Sequence, residues 1–391
     1  MLLGLRFAME TIQLKIFDET LRDGEQQVGI FFDEETKYTL AGLIDRTGVH
    51  RIALMPAVHH TEAALVKDLI NKGYKKTLTA STMMDKKYID GSIACGVEHI
   101  ILFNAVSDRL LWLRNSEFRD LVCDREIQLE IVTRIRQRAI DKIISNLQYA
   151  HSKGLKISFA AEDASRADFD FLVECINKFK PYIDCFILCD TVGILNPEDT
   201  KIWIRNLVDF TRNETLLTVH FHNDRGLALE NTIQAILAGA TGISGTFGGI
   251  GERAGNVAIE QVLHGLKLRY GWKVAGINYD AITGVTKYLS SQGFFANPPY
   301  SPESLRYETG IHVESLLRDR DSYHLFTGYE PEIWFGKFSG ASNFKYLFEE
   351  KLKQPHSDKI YQRLREMFKQ FSIQQKRSFS SEDIINILNS L

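Results

Sequence analysis

Between about residue 12 and residue 271, short apolar runs alternate with longer amphipathic ones, and no other feature constrains the fold as tightly. The runs at 14–18, 51–55, 77–80, 98–103, 155–159, 184–189, 216–221 and 242–247 read as strands. The stretches at 33–48, 62–73, 86–95, 125–153, 168–179, 197–211, 228–238 and 256–270 read as helices, with Asp33 placed as a cap and Gly73 and Gly154 as stops. Eight strand–helix units in about 260 residues match a (β/α)8 TIM barrel in order and length. A doubly wound open sheet is the alternative, but no Gly-x-Gly-x-x-Gly follows the first strand.

At 391 residues the chain is longer than this barrel requires. Past residue 271 the alternation stops, and Asn297-Pro298-Pro299-Tyr300-Ser301-Pro302 breaks any helix. A helical tail runs from about residue 341 to the end. The expected division is a catalytic barrel over 1–275 and a mainly helical appendage over 276–391. An appendage of that size makes a poor core alone, so it should pack on the barrel or on a partner subunit.

A formal net charge of −3 and the lack of a basic patch argue against a nucleic-acid partner. No apolar run approaches the ~20 residues of a membrane span. The opening Met1-Leu2-Leu3-Gly4-Leu5-Arg6-Phe7-Ala8 is a poor signal peptide, and Met9 is an alternative start. Cys95, Cys123, Cys175, Cys185 and Cys189 are odd in number and show no Cys-x-x-Cys spacing, which points to a reducing cytoplasm.

The seventh strand ends in His220-Phe221-His222-Asn223-Asp224. Alternate side chains on a strand share a face, so the two imidazoles stand together, as a shared divalent metal would require. A solvated loop explains His-x-His equally well when it is taken alone. Barrel chemistry, however, sits at the C-terminal strand ends. Those ends carry Arg22, Asp23 and Gln26, then Glu162, Asp163 and Arg166, then Asp190 and Thr191, and finally the glycine-rich run 248–256. A lone charge at such a place is usually just solvated, whereas this many on one rim suggest a site.

Leu21-Arg22-Asp23-Gly24-Glu25-Gln26, His220-x-His222-Asn223-Asp224 and Gly249-x-Gly251-Glu252-Arg253-x-Gly255-Asn256 together resemble a family of metal-dependent acyl-CoA condensing and cleaving barrels. That family includes 2-isopropylmalate, homocitrate and citramalate synthases and is related to hydroxymethylglutaryl-CoA lyase. Glu162-Asp163-Ala164-Ser165-Arg166, Asp190-Thr191-Val192-Gly193 and Thr309-Gly310-Ile311-His312-Val313 extend the resemblance over roughly 14–340. It implies condensation of acetyl-CoA with a 2-oxo acid, followed by thioester hydrolysis. Implied ligands of a divalent metal (Mg²⁺, Mn²⁺ or Zn²⁺) are Asp23, His220 and His222, with Asn256 adding an oxygen. Arg22 would stabilise the enolate and alkoxide oxygens, while His312 or Glu162 would take the methyl proton. Gln26, Thr191 and Ser107 would contact substrate. In the family the counterpart of His312 enters from the other subunit, which implies a homodimer. A capping or packing role is the plainer alternative for His312.

The lyase branch carries a reactive cysteine in the loop after strand eight, and residues 248–256 hold none. That favours a synthase over a lyase; a silent acyl-CoA-binding paralogue is the third reading. Several positions depart from the synthase pattern. Ala53 stands where a glutamate is usual, Leu110 where a histidine is, and Phe338 replaces the histidine of a Gly-Lys-His-Ser-Gly run. Strand three lacks the usual arginine. His59, His60 and Arg109 are available to a distal anionic group, although each is more simply an ordinary loop residue. The chain also stops where relatives with a leucine-binding regulatory domain continue, so no such control is expected.

Overall fold

The computed structural model describes residues 9–117, 129–211, 216–326 and 328–390. Eight parallel strands close into a barrel in sequence order: β1 (Lys15–Asp18), β2 (Arg51–Leu54), β3 (Leu78–Met83), β4 (His99–Ala105), β5 (Lys156–Glu162), β6 (Cys185–Asp190), β7 (Leu217–Phe221) and β8 (Gly242–Gly245). Closure is made by β8 on β1, with Lys15 opposite Gly242 and Asp18 opposite Gly245. The open-sheet alternative is thereby excluded.

Helices cover the outside as their apolar stripes predict: α1 (Glu34–Asp45), α2 (His60–Asn71), α3 (Lys86–Ala94), α4 (Leu129–Ser152), α5 (Phe169–Phe179), α6 (Pro197–Thr211), α7 (Ala228–Leu237) and α8 (Ile259–Tyr270). Asp33 caps α1 by accepting from the Thr36 amide at 2.9 Å. The start expected for α4 at 125 lies outside the described residues, as do residues 1–8 and Cys123. Strand alternation splits the core in two. One set of side chains packs between strands and helices, while Phe17, Ala53, Ile101, Cys185, Ile187 and Cys189 fill the barrel's centre.

Past the barrel come α9 (Tyr279–Ser291), α10 (Gly310–Arg318), α11 (Asp358–Gln375) and α12 (Ser381–Asn389), the last two joined to the rest through Phe335, Phe344, Phe368 and Phe379. This segment is tied to the mouth of its own barrel. Buried Lys337 reaches Glu25 at 3.0 Å as well as Glu62, and Lys37 shares both carboxylates. Arg166 donates to the Asp321 and Ser322 carbonyls at 2.9 and 2.6 Å. The segment thereby brings α10, with His312, over the strand ends. Among the described residues, no helix is long and apolar enough to cross a membrane.

Candidate active site

Asp23 follows β1 in a single 3-10 turn, and His220 and His222 lie at the end of β7, on one face as their spacing requires. One ligand atom from each of these three buried residues lies within 4.8 Å of the others. The two imidazole Nε2 atoms face each other at 3.3 Å, and His220 Nε2 stands 3.9 Å from Asp23 Oδ2. Burial lowers the pKa of both imidazoles, so they are neutral and carry lone pairs. Burial would raise the Asp23 pKa, but the adjacent Arg22 guanidinium, helped by the hydrogen bond from the Asn256 amide, outweighs it and holds the carboxyl well below the usual range.

A second set of atoms points the same way. His222 Nδ1 and Asn256 Oδ1 are buried with no hydrogen-bond partner. Asn256 donates through Nδ2 to Asp23 Oδ1 at 2.8 Å, which leaves its carbonyl oxygen uncommitted beside the carboxylate. An anionic oxygen, two neutral imidazoles and a spare amide oxygen form a donor set that fits a divalent metal. The loop after β8 permits this crowding through Gly251, whose φ is 151°. A Cβ there would lie 2.1 Å from Asn256 Nδ2 and 2.6 Å from Asp23 Oδ1.

Arg22 donates to Glu19 at 2.7 Å, to Asp23 at 2.8 Å and to Gln26 at 3.1 Å. Burial disfavours its charge, yet Glu19 and Asp23 override this and raise its pKa further. Arg22, Asp23, Gln26, Glu162, Thr191, His220, His222 and His312 all line one cavity of about 140 Å³ at the strands' C-terminal ends. A cleft of about 710 Å³ lies beside it and shares Gln26, Met55, Thr309 and Ile311.

His312 sits in this cavity on its own chain, where the resemblance led us to expect the partner's histidine. Its Nδ1 lies 3.1 Å from Glu252 Oε1, and its ring stacks on Tyr323 with centroids 4.0 Å apart. Glu252 also accepts from Thr309, which in turn accepts from Gln26 at 3.0 Å. Sequence motifs contained Glu252 but suggested no role for it. Glu19, Arg114 and Tyr323 were missed altogether, because their partners come from distant segments.

Glu162 is held between Arg114, whose two guanidinium nitrogens both donate to it, and the Tyr323 hydroxyl. Burial opposes its ionisation, but Arg114 dominates and pulls its pKa down to about 2. A carboxylate held this acidic is a poor base for a methyl proton. Because this folded-state value lies below that of an unfolded glutamate, the pair stabilises the fold above about pH 4.3 and loses that contribution as pH falls toward 2. Glu162→Gln should therefore lower stability by about 3 kcal/mol at pH 7, since it leaves Arg114 buried and uncompensated. The gap from wild type should narrow at pH 3, as urea unfolding at the two pH values would show.

Ser107 does not line the cavity. It caps the short helix Asp108–Leu113 and donates to Asp163, so the structure does not bring it together with the other expected substrate contacts, Gln26 and Thr191. Leu110 is likewise packed in the outer core, away from the site. Arg109 pairs with Asp319, and His59 caps α2 through the Thr61 amide at 3.3 Å.

With this geometry in place, comparison with known proteins assigns the family. The HMGL-like family model matches residues 13–288. A homocitrate synthase from Methanothermobacter thermautotrophicus is 33% identical over 86% of this chain and 84% of its own length. A 2-isopropylmalate synthase from Sulfurisphaera tokodaii is 31% identical over 89% of this chain and 88% of its own. A putative (R)-citramalate synthase from Archaeoglobus fulgidus is 31% identical over 87% of this chain and 68% of its own. In structure, the hydroxymethylglutaryl-CoA lyase of Pseudomonas aeruginosa shares the fold, with a TM-score of 0.57 at 18% identity over 76% of this chain and 97% of that one. The chain belongs to the HMGL-like family, whose curated members similar to it are acyl-condensing synthases.

Proposed function

We propose that this chain condenses acetyl-CoA with a 2-oxo acid and hydrolyses the resulting thioester, releasing a 2-hydroxy diacid and free CoA. The observation that carries this reading is the meeting of Asp23, His220 and His222 at one point, with Arg22 and His312 facing the same cavity. Asp23, His220, His222 and the Asn256 oxygen would hold a divalent cation (Mg²⁺, Mn²⁺ or Zn²⁺). When bound, that cation supplies an anchor and an electrophile for an oxo acid's carboxylate and ketone.

The chain's own residues do the rest. Arg22 presents a fixed cationic fork toward the enolate oxygen of acetyl-CoA and the alkoxide formed from the ketone. His312 is the base that removes the methyl proton. With its Nδ1 proton directed to Glu252, the lone pair resides on Nε2. The clamped Glu162 serves instead to hold Arg114 and Tyr323 around the pocket. Gln26 and Thr191 line the cavity as substrate contacts, and the larger adjoining cleft takes the CoA arm. Residues 276–391 act as a separate appendage that completes the site, and the enzyme is placed in the cytoplasm.

A thiol-release assay tests the reading. Free CoA should appear when acetyl-CoA, Mg²⁺ or Mn²⁺ and a suitable 2-oxo acid are all present, and should be absent when any one is withheld. A homodimer is proposed on the family resemblance alone, since one chain supplies every site residue described. Mixing Asp23→Ala and His312→Ala chains should accordingly restore no activity, whereas delivery of His312 between subunits would rebuild one intact site per mixed dimer.

A further inference from the structure

We infer that the 2-oxo acid accepted here carries an uncharged, apolar side chain; the inference rests on the condensation reading and names its substrate class. Below the ring of Arg22, Asp23, His220 and His222, the cavity wall is formed by Met55, Ile101, Phe103, Ala160, Ile187 and Cys189. These come from the interiors of β4, β5 and β6 and from the residue following β2, with the small polar Ser81 of β3 between them, so the largely apolar surface spans one side of the barrel. Ile101, Ile187 and Cys189 also belong to the packed centre of the barrel, which fixes that surface rigidly.

Charge leads to the same conclusion. Glu19, Asp23, Glu162 and Glu252 line the cavity, while Arg22 is the only lysine or arginine among the described residues that line it. Arg22 is already committed to Glu19 and Asp23, and Arg114 behind the wall is committed to Glu162. With Arg22 turned to the enolate and alkoxide and the bound cation to the first carboxylate and ketone, a second carboxylate on the oxo acid would meet acidic neighbours and apolar side chains. No further lysine or arginine among the described residues lines this cavity to receive it, which is costly in a buried site. An aliphatic or aromatic side chain gains from burial against the same wall.

The test is titration calorimetry of the full chain with Mn²⁺ and without acetyl-CoA. The probes are 3-methyl-2-oxobutanoate and phenylpyruvate for the apolar class and 2-oxopentanedioate for the dicarboxylic class. At least one apolar acid should bind at least about tenfold more tightly than the dicarboxylic one. Phe103→Ala should weaken the preferred apolar acid about tenfold and leave the dicarboxylic one unchanged, with Mn²⁺ affinity retained as the control. Preferential binding of 2-oxopentanedioate, equal binding of the two classes, or no binding of any probe overturns the inference. Tight binding of an apolar acid without CoA release upholds it while defeating the condensation reading, so the two failures are distinguishable.

Discussion

Asp23→Ala is expected to abolish stoichiometric divalent-metal binding and to lower CoA release by about 10³–10⁴-fold, the kinetic equivalent of several kcal/mol of lost charge stabilisation. The expectation follows from the position of this carboxylate. It is the one anionic member of the three-residue cluster, and it accepts from Arg22, Asn256 and the Glu252 amide. Its loss leaves two neutral imidazoles that bind a hard cation poorly, and it frees Arg22 and Asn256 from the geometry they share. The fold should survive, because Asp23 belongs to a turn at the barrel mouth and not to the packed layers. Calorimetry with Mn²⁺, circular dichroism and the thiol-release assay on the same preparation check the three parts separately. Unimpaired metal binding would remove Asp23 from the ligand set.

Arg22→Lys should lower kcat by about 10²–10³-fold while changing KM for the oxo acid only slightly. Lysine keeps the charge but not the planar fork that now reaches Glu19, Asp23 and Gln26 from one guanidinium. A group that acts on the enolate and alkoxide is used mainly as charge develops, so the loss should fall on turnover. Steady-state kinetics at saturating metal distinguishes this from a binding defect: a rise in KM with unchanged kcat would recast Arg22 as a substrate anchor.

The parts of this site that were legible in the sequence are those set by local periodicity. His220 and His222 share a face because a strand repeats every two residues, and Asp23 stands at the rim because it follows the first apolar run. Barrel order followed from the alternation of runs, and Asp33 was recognisable as a cap from its position alone. Pairing between distant loops left no such trace. The Ser107 hydroxyl turns to Asp163, 56 residues away, and Glu162 is neutralised in its basicity by Arg114 across 48 residues. Nor could spacing show that Lys337 would bury itself between Glu25 and Glu62, the contact that holds the appendage on its own barrel. His312 illustrates the limit best. Its motif was recognisable, but which chain's cavity it enters depends on tertiary packing of α10 that no local signal encodes.

The central claim is that Asp23, His220 and His222 converge on one cation. Diffraction from crystals grown with Mn²⁺ tests it most directly through the anomalous signal of the metal. The expected result is a single strong peak at about 2.0–2.3 Å from an Asp23 carboxylate oxygen and from one ring nitrogen of each histidine, on the scale of ordinary metal–oxygen and metal–nitrogen bonds. A map with no peak there, or with its peak beyond reach of those three side chains, would contradict it.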